Sequence, residues 1–186
     1  GQKVEKYNYV YEPNDDTHTI IILDHAELAG KERGFDTKQN TDKLSEYFVE
    51  IRNIFKPTIV LVSQFNRELG KIERMKFSRS QLKPSASDWK NTSNIAADVN
   101  MLIGVFNPFS YDHLKDEEFL GYDLAKFPKR GISLHLLESR ETEGFVDEML
   151  CFMGECGYIK EMPKIEDMKD DVYEKIMNKT FNKNFI

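Results

Sequence analysis

Cysteine is scarce in this 186-residue chain: Cys151 and Cys156 are its only two. That is too few for a disulfide framework or a four-cysteine zinc site, and it fits two reduced thiols in a cytoplasmic protein. The histidines His18, His25, His113 and His135 show no metal-ligand spacing, which argues against a zinc centre. No apolar run reaches membrane-spanning length, and Gly1-Gln2-Lys3 lacks the apolar stretch of a secretory signal, so no membrane partner is expected. The G-x-S-x-G motif is missing and no serine–histidine pair stands in a nucleophile context, which disfavours acyl transfer. A G-x-x-x-x-G-K-[ST] phosphate loop is missing too. Its nearest fragment, Glu68-Leu69-Gly70-Lys71, lacks the upstream glycine and the hydroxyl residue. Excess positive charge is also lacking. A formal net charge of −6 excludes a wholly basic nucleic-acid coat protein but leaves room for a local basic surface.

What is present has ordinary globular proportions, 40% hydrophobic and 31% charged residues, enough for one domain with its own core. Residues 7–11 alternate Tyr, Asn, Tyr, Val, Tyr as a short strand would. Residues 19–23 are apolar throughout apart from Thr19, the pattern of a parallel strand covered on both faces. Residues 30–40 read as a polar loop. From Thr41 to Phe55 the apolar residues Leu44, Tyr47, Phe48, Ile51 and Phe55 recur at helical spacing, and Pro57 stops the helix. A second apolar strand follows over 58–62. Strand, helix, strand in that order implies a right-handed parallel crossover. Further strands are expected at 101–106, 132–137 and 145–152, the last two as an antiparallel hairpin, with a long insertion over 107–131. A charged tail, 160–186, carries one amphipathic helix over 167–179. The fold class is therefore α/β, with a mostly parallel sheet flanked by helices and a C-terminal antiparallel hairpin. Residues 1–159 form the main domain.

Ligands of open α/β sheets bind at the carboxyl ends of the parallel strands. Those ends here carry Asp24, Gln64 and, one strand on, Ser139 with Arg140. A carboxylate, an amide and a guanidinium suit phosphate chemistry: an acid for a metal ion, a neutral group to orient water or sense a terminal phosphate, and a cation for developing charge. The plainer alternatives are a strand-end acid capping the next turn, a loop glutamine bonded to backbone, and a surface arginine. Residues 66–90 hold seven cations against three carboxylates, a local charge of +4, so the rest of the chain carries −10. Such a segment suits contact with phosphate backbone and not with base edges, because only Phe77 and Trp89 offer rings for stacking. A solvated face with surplus lysines is the alternative.

At this point the chain resembles the RecA-like motor domain of DnaB-type replicative helicases, over residues 18–158. "IIILDHAEL" resembles the Walker B strand, which implies Asp24 as the carboxylate that holds Mg²⁺ through water. "IVLVSQFNRE" resembles the following motif, which implies Gln64 as the γ-phosphate sensor. "SDWKNTSNIAADVNMLIGVF" is similar to the family's next block, with Ser87, Asp88, Ile95 and Asp98 on matching positions. "LLESRETEGFVDEMLCFMGECGYI" resembles the final hairpin, with Arg140 as the arginine finger that reaches a neighbouring subunit, and Gly144 and Phe152 on the hairpin's turn and return strand.

The resemblance implies ATP and Mg²⁺ as cofactors, identical subunits in a hexameric ring, single-stranded DNA as partner and a cytoplasmic location. It also implies that loops after the first two strands line the ring's channel, which brings Lys31, Arg33 and Lys38, and Arg67, Lys71, Arg74, Lys76 and Arg79, to the DNA. The family's phosphate loop and catalytic glutamate precede Walker B, so they would lie before Gly1, and these 186 residues alone are expected to be inactive and to hold no nucleotide tightly. Two further departures are Glu138, where the family usually has lysine, and His25, where it tends to have tyrosine. The alternatives are a non-catalytic RecA-like DNA-binding or scaffolding protein and a recombinase-like ATPase.

Overall fold

The computed structural model of the protein describes residues 16–30, 32–66, 82–89, 95–111, 118–127, 129–142 and 146–178. The strand expected over 7–11 lies outside them. The chain divides into two compact units, the first made of Gly1–Gln64 with Lys90–Asp98 and the second of Phe65–Trp89 with Val99–Ile186.

In the first unit, β1 (Ile20–Leu23) and β2 (Thr58–Leu61) lie side by side, parallel, in the register Ile20↔Thr58 to Leu23↔Leu61. The helix between them, α1, spans Thr37–Phe55 and so begins four residues before the expected start. Its first turn is set by a capping box. Asp36 Oδ1 accepts from the Gln39 backbone N–H at 2.8 Å, and Gln39 Oε1 accepts from the Asp36 N–H at 3.0 Å. These reciprocal bonds satisfy donors that an apolar-spacing argument does not count. Lys56 ends the helix in the left-handed region, φ 50°, just before Pro57. The side chains α1 buries are polar: Asn40, Thr41 and Ser45. Ser45 Oγ donates to Asp98 Oδ2 at 2.8 Å and Arg52 Nη1 to the Asp98 carbonyl at 2.8 Å, tying α1 to the short helix α2 (Ile95–Asp98).

The strands of this unit are not covered on both faces, contrary to their composition. Their exposure alternates, and Ile20 and Ile22 are 58% and 67% exposed, with Val60 and Val62 also open. Successive side chains of a strand point to opposite faces, so these four share one face, and the described residues of the unit leave it bare.

The second unit holds a four-stranded sheet, ordered β3–β6–β7–β8, from Met101–Phe106, Gly131–Ser139, Asp147–Met153 and Tyr158–Glu161. Every neighbouring pair in it is antiparallel. This corrects the expected mostly parallel sheet: among the described residues only β1–β2 is parallel. The reason is connectivity. Only seven residues separate β6 from β7 and four separate β7 from β8, and links that short make antiparallel neighbours, whereas a parallel pair needs a longer crossover. The C-terminal hairpin is present, β6 and β7 pairing from Gly131↔Cys151 to His135↔Asp147.

One face of this sheet builds the core. Leu102, Gly104 and Phe106 alternate inward along β3, and Phe106, Met149 and Cys151 join Phe109, Phe119, Tyr122, Leu124 and Phe127 from the expected insertion. That segment is therefore core-forming. It includes a small hairpin, β4 (Glu118–Phe119) and β5 (Tyr122–Asp123), turned by Leu120 at φ 51° and Gly121 at φ 83°. Gly121 is favoured by its backbone conformation, and a Cβ there would stand 2.5 Å from Ile165 Cδ1 and turn that exposed side chain aside. From the tail, α3 (Asp170–Met177) seats Tyr173 and Ile176 in the same core.

Candidate nucleotide-handling site

The carboxyl ends of β1 and β2 are stitched together beyond their last ladder residues. The Val62 N–H donates to the Leu23 carbonyl at 3.0 Å, and the Ala26 N–H donates to the Val62 carbonyl at 2.8 Å. Asp24 follows β1 directly, its peptide bond to His25 is cis, and a tight helical turn, Ala26–Leu28, buries Ala26. Gln64 follows β2 by three residues. Asp24 and Gln64 are both exposed, at the same end of two adjacent parallel strands.

Between these strand ends sits a group that the motif reading overlooked. The Glu27 side chain is only 14% exposed. It accepts from Ser63 Oγ at 2.7 Å and pairs with His25 Nδ1 at 2.8 Å. Burial works against its charge, but the bonds from Ser63, its own backbone amide, His25 and the Gln64 backbone amide prevail and hold its carboxyl below the usual range. The available signal was the two-residue spacing of His25 and Glu27. Ser63, 36 residues away from Glu27, gave none.

Arg140 belongs to the second unit, one residue beyond β6, where its N–H donates to the Asn100 carbonyl at 2.9 Å. Ser139 is occupied with closing that turn. Its Oγ accepts from the backbone N–H groups of Glu141 and Thr142, each at 3.2 Å. Of the expected DNA-facing cations, Arg33 is exposed, beside Gly34 at φ 92°. Lys31, Arg67, Lys71, Arg74, Lys76 and Arg79 lie outside the described residues. The flanks of the basic segment are joined to each other: Phe65 bridges Trp89, and the Asn66 N–H donates to the Asp88 carbonyl at 2.7 Å. Asp88 itself is buried and accepts from the N–H and the Oγ of Ser85, both at 2.7 Å.

The second unit also contains a serine–histidine–aspartate chain. Ser133 Oγ lies 2.7 Å from His135 Nε2, His135 Nδ1 lies 2.6 Å from Asp147 Oδ1, and Lys83 pairs with the other carboxylate oxygen. Burial depresses the His135 pKa against the pull of Asp147. The Asp147 carboxyl is itself lowered: burial opposes this, but the bonds from Lys83 and His135 prevail. Ser133 has no exposed surface, so its hydroxyl meets no substrate and the chain is a structural relay.

No protein-family model and no curated relative matches the sequence. Among solved structures, a DnaB-like replicative helicase, described with its interactions with primase, superposes with a TM-score of 0.62 at 14% identity over 81% of this chain and 32% of its own. A second solved structure, described as an ATPase domain, superposes with a TM-score of 0.62 at 15% identity over 81% of this chain and 46% of its own. The chain shares its fold with a part of each of these two solved structures. It spans less than half the length of either neighbour. Within this shared fold, the pairing of β1 with β2 is what brings Asp24 and Gln64 to one rim. No described helix is long and apolar enough to cross a membrane.

Proposed function

We propose that the protein works as part of an ATP-dependent replicative DNA helicase motor, in which ATP hydrolysis between subunits of a hexameric ring drives movement along single-stranded DNA. The observation that carries this reading is the exposed carboxylate and amide at the ends of two adjacent parallel strands, in a fold shared with helicase ATPase domains. Asp24 is free to hold the water shell of Mg²⁺, and Mg²⁺ with ATP supplies the phosphoryl chemistry when bound. Gln64, neutral and able both to donate and to accept, suits the terminal phosphate or the attacking water. These 186 residues contain no G-x-x-x-x-G-K-[ST] phosphate loop of their own. Arg140 acts across the subunit boundary, where a cation stabilises transferring charge. Arg33, Lys31 and the 67–79 cations hold DNA phosphates without reading sequence. The setting is the cytoplasm.

Ring assays test it. In the ATP-hydrolysing assembly Arg140→Ala lowers turnover by about a thousandfold or more while nucleotide still binds, the scale of a lost arginine finger. Mixing those subunits with Asp24→Ala subunits restores part of the activity, because some interfaces then hold one intact copy of each group. Turnover that survives Arg140→Ala, or mixtures as inactive as their parents, rules out the trans arrangement. A non-catalytic DNA-binding role predicts no turnover in any combination.

A further inference from the structure

Among the described acids at this rim, Glu27 is the one held by several converging donors. Ser63 Oγ, His25 Nδ1 and the Gln64 backbone N–H all converge on it, and two of these donors lie in the chain that follows β2. A carboxylate bound this way is unsuited to general-base work, which needs a pKa near neutrality and a free oxygen facing the substrate. It is well suited to fixing geometry, since charge-assisted hydrogen bonds are short and directional.

We propose that Glu27 is a positioning residue, whose carboxylate ties the turn after β1 to Ser63–Gln64 and so holds Gln64 at a set place beside Asp24. This rests on the motor reading for its purpose, though not for the tie itself. The ladder bonds end at Val62, so without Glu27 the last two residues before the second unit have no described bond to the β1 side. Sequence distance hides this: two loops 36 residues apart are joined through one side chain.

Amide hydrogen exchange on the protein without nucleotide tests the tie. Glu27→Ala is expected to speed exchange at the Gln64 amide by about tenfold, the effect of losing one charge-assisted bond. Glu27→Gln, which keeps an acceptor of the same shape, restores most of the protection. Ser63→Ala has a smaller effect in the same direction. The ladder amide of Val60 does not change in any of the three, which separates a local tie from loss of fold. Equal exchange at Gln64 in the wild type and Glu27→Ala overturns the proposal whatever the ATPase does. In the hydrolysing assembly, Glu27→Ala lowers kcat by about tenfold and leaves KM for ATP within about twofold. Faster exchange with kcat unchanged supports the tie and removes Gln64 from the hydrolytic step, so a failure of the motor reading is told apart from a failure of this one.

Discussion

The two units of this chain solve the burial problem differently. The second closes a core of its own, with Phe106, Phe109, Phe127, Met149, Tyr173 and Ile176 meeting on one face of an antiparallel sheet. The first keeps β1 and β2 aliphatic yet leaves Ile20, Ile22, Val60 and Val62 open, and packs its long helix through Asn40, Thr41 and Ser45. Hydrophobic burial is the dominant favourable contribution to folding, so the units draw very different shares of their stability from it. The exposed acid and amide of the candidate site stand on the less covered unit. Hydrogen bonds accepted by Glu27 and those across Val62 hold its rim where packing does not.

Three measurements would sharpen or break this contrast. Phe127→Ala removes a ring with no exposed surface and should cost about 3–5 kcal/mol of unfolding free energy by denaturant titration. A cost below about 1 kcal/mol would mean that the aromatic core is not what closes the second unit. Next in size, reversing the charge of Lys71, Arg74 and Lys76 should weaken single-stranded DNA binding by about tenfold or more and flatten its salt dependence, with nucleotide binding unchanged. A salt slope equal to wild type would remove these residues from the DNA path. The smallest effect belongs to Ile22→Ser, which should change stability by less than about 0.5 kcal/mol because the side chain is 67% exposed. A cost of about 2 kcal/mol would show that the open face is covered in solution.

What could be read from the sequence follows the same contrast. Strand positions were legible wherever four or more apolar residues ran between polar stretches: β1, β2 and β3 fall within a residue or so of expectation. Their covering was not, because composition alone cannot say which face is buried. Met101-Leu102-Ile103-Gly104-Val105-Phe106 is apolar throughout, yet its exposure alternates strictly. The parallel sheet was over-read for that reason. The hairpin β4–β5 has two residues per strand, too few for any period, and its segment's acids masked five buried residues. Asp24 and Gln64 were legible from their strand ends, whereas Glu27 and Ser63 became partners only when the strands paired. Ser133 and His135 went unremarked as a pair, and their shared, buried face became visible only with the fold.

Gly121 ties two separate stretches of sequence together. Any larger side chain there must push Ile165 aside, 44 residues further along, while also paying for a left-handed backbone. The tip of the small hairpin and the segment leading into α3 thus touch through this one pair. A larger residue at Gly121 would meet the far end of a half-exposed side chain, which can turn aside into solvent, so the backbone conformation sets the greater part of the cost.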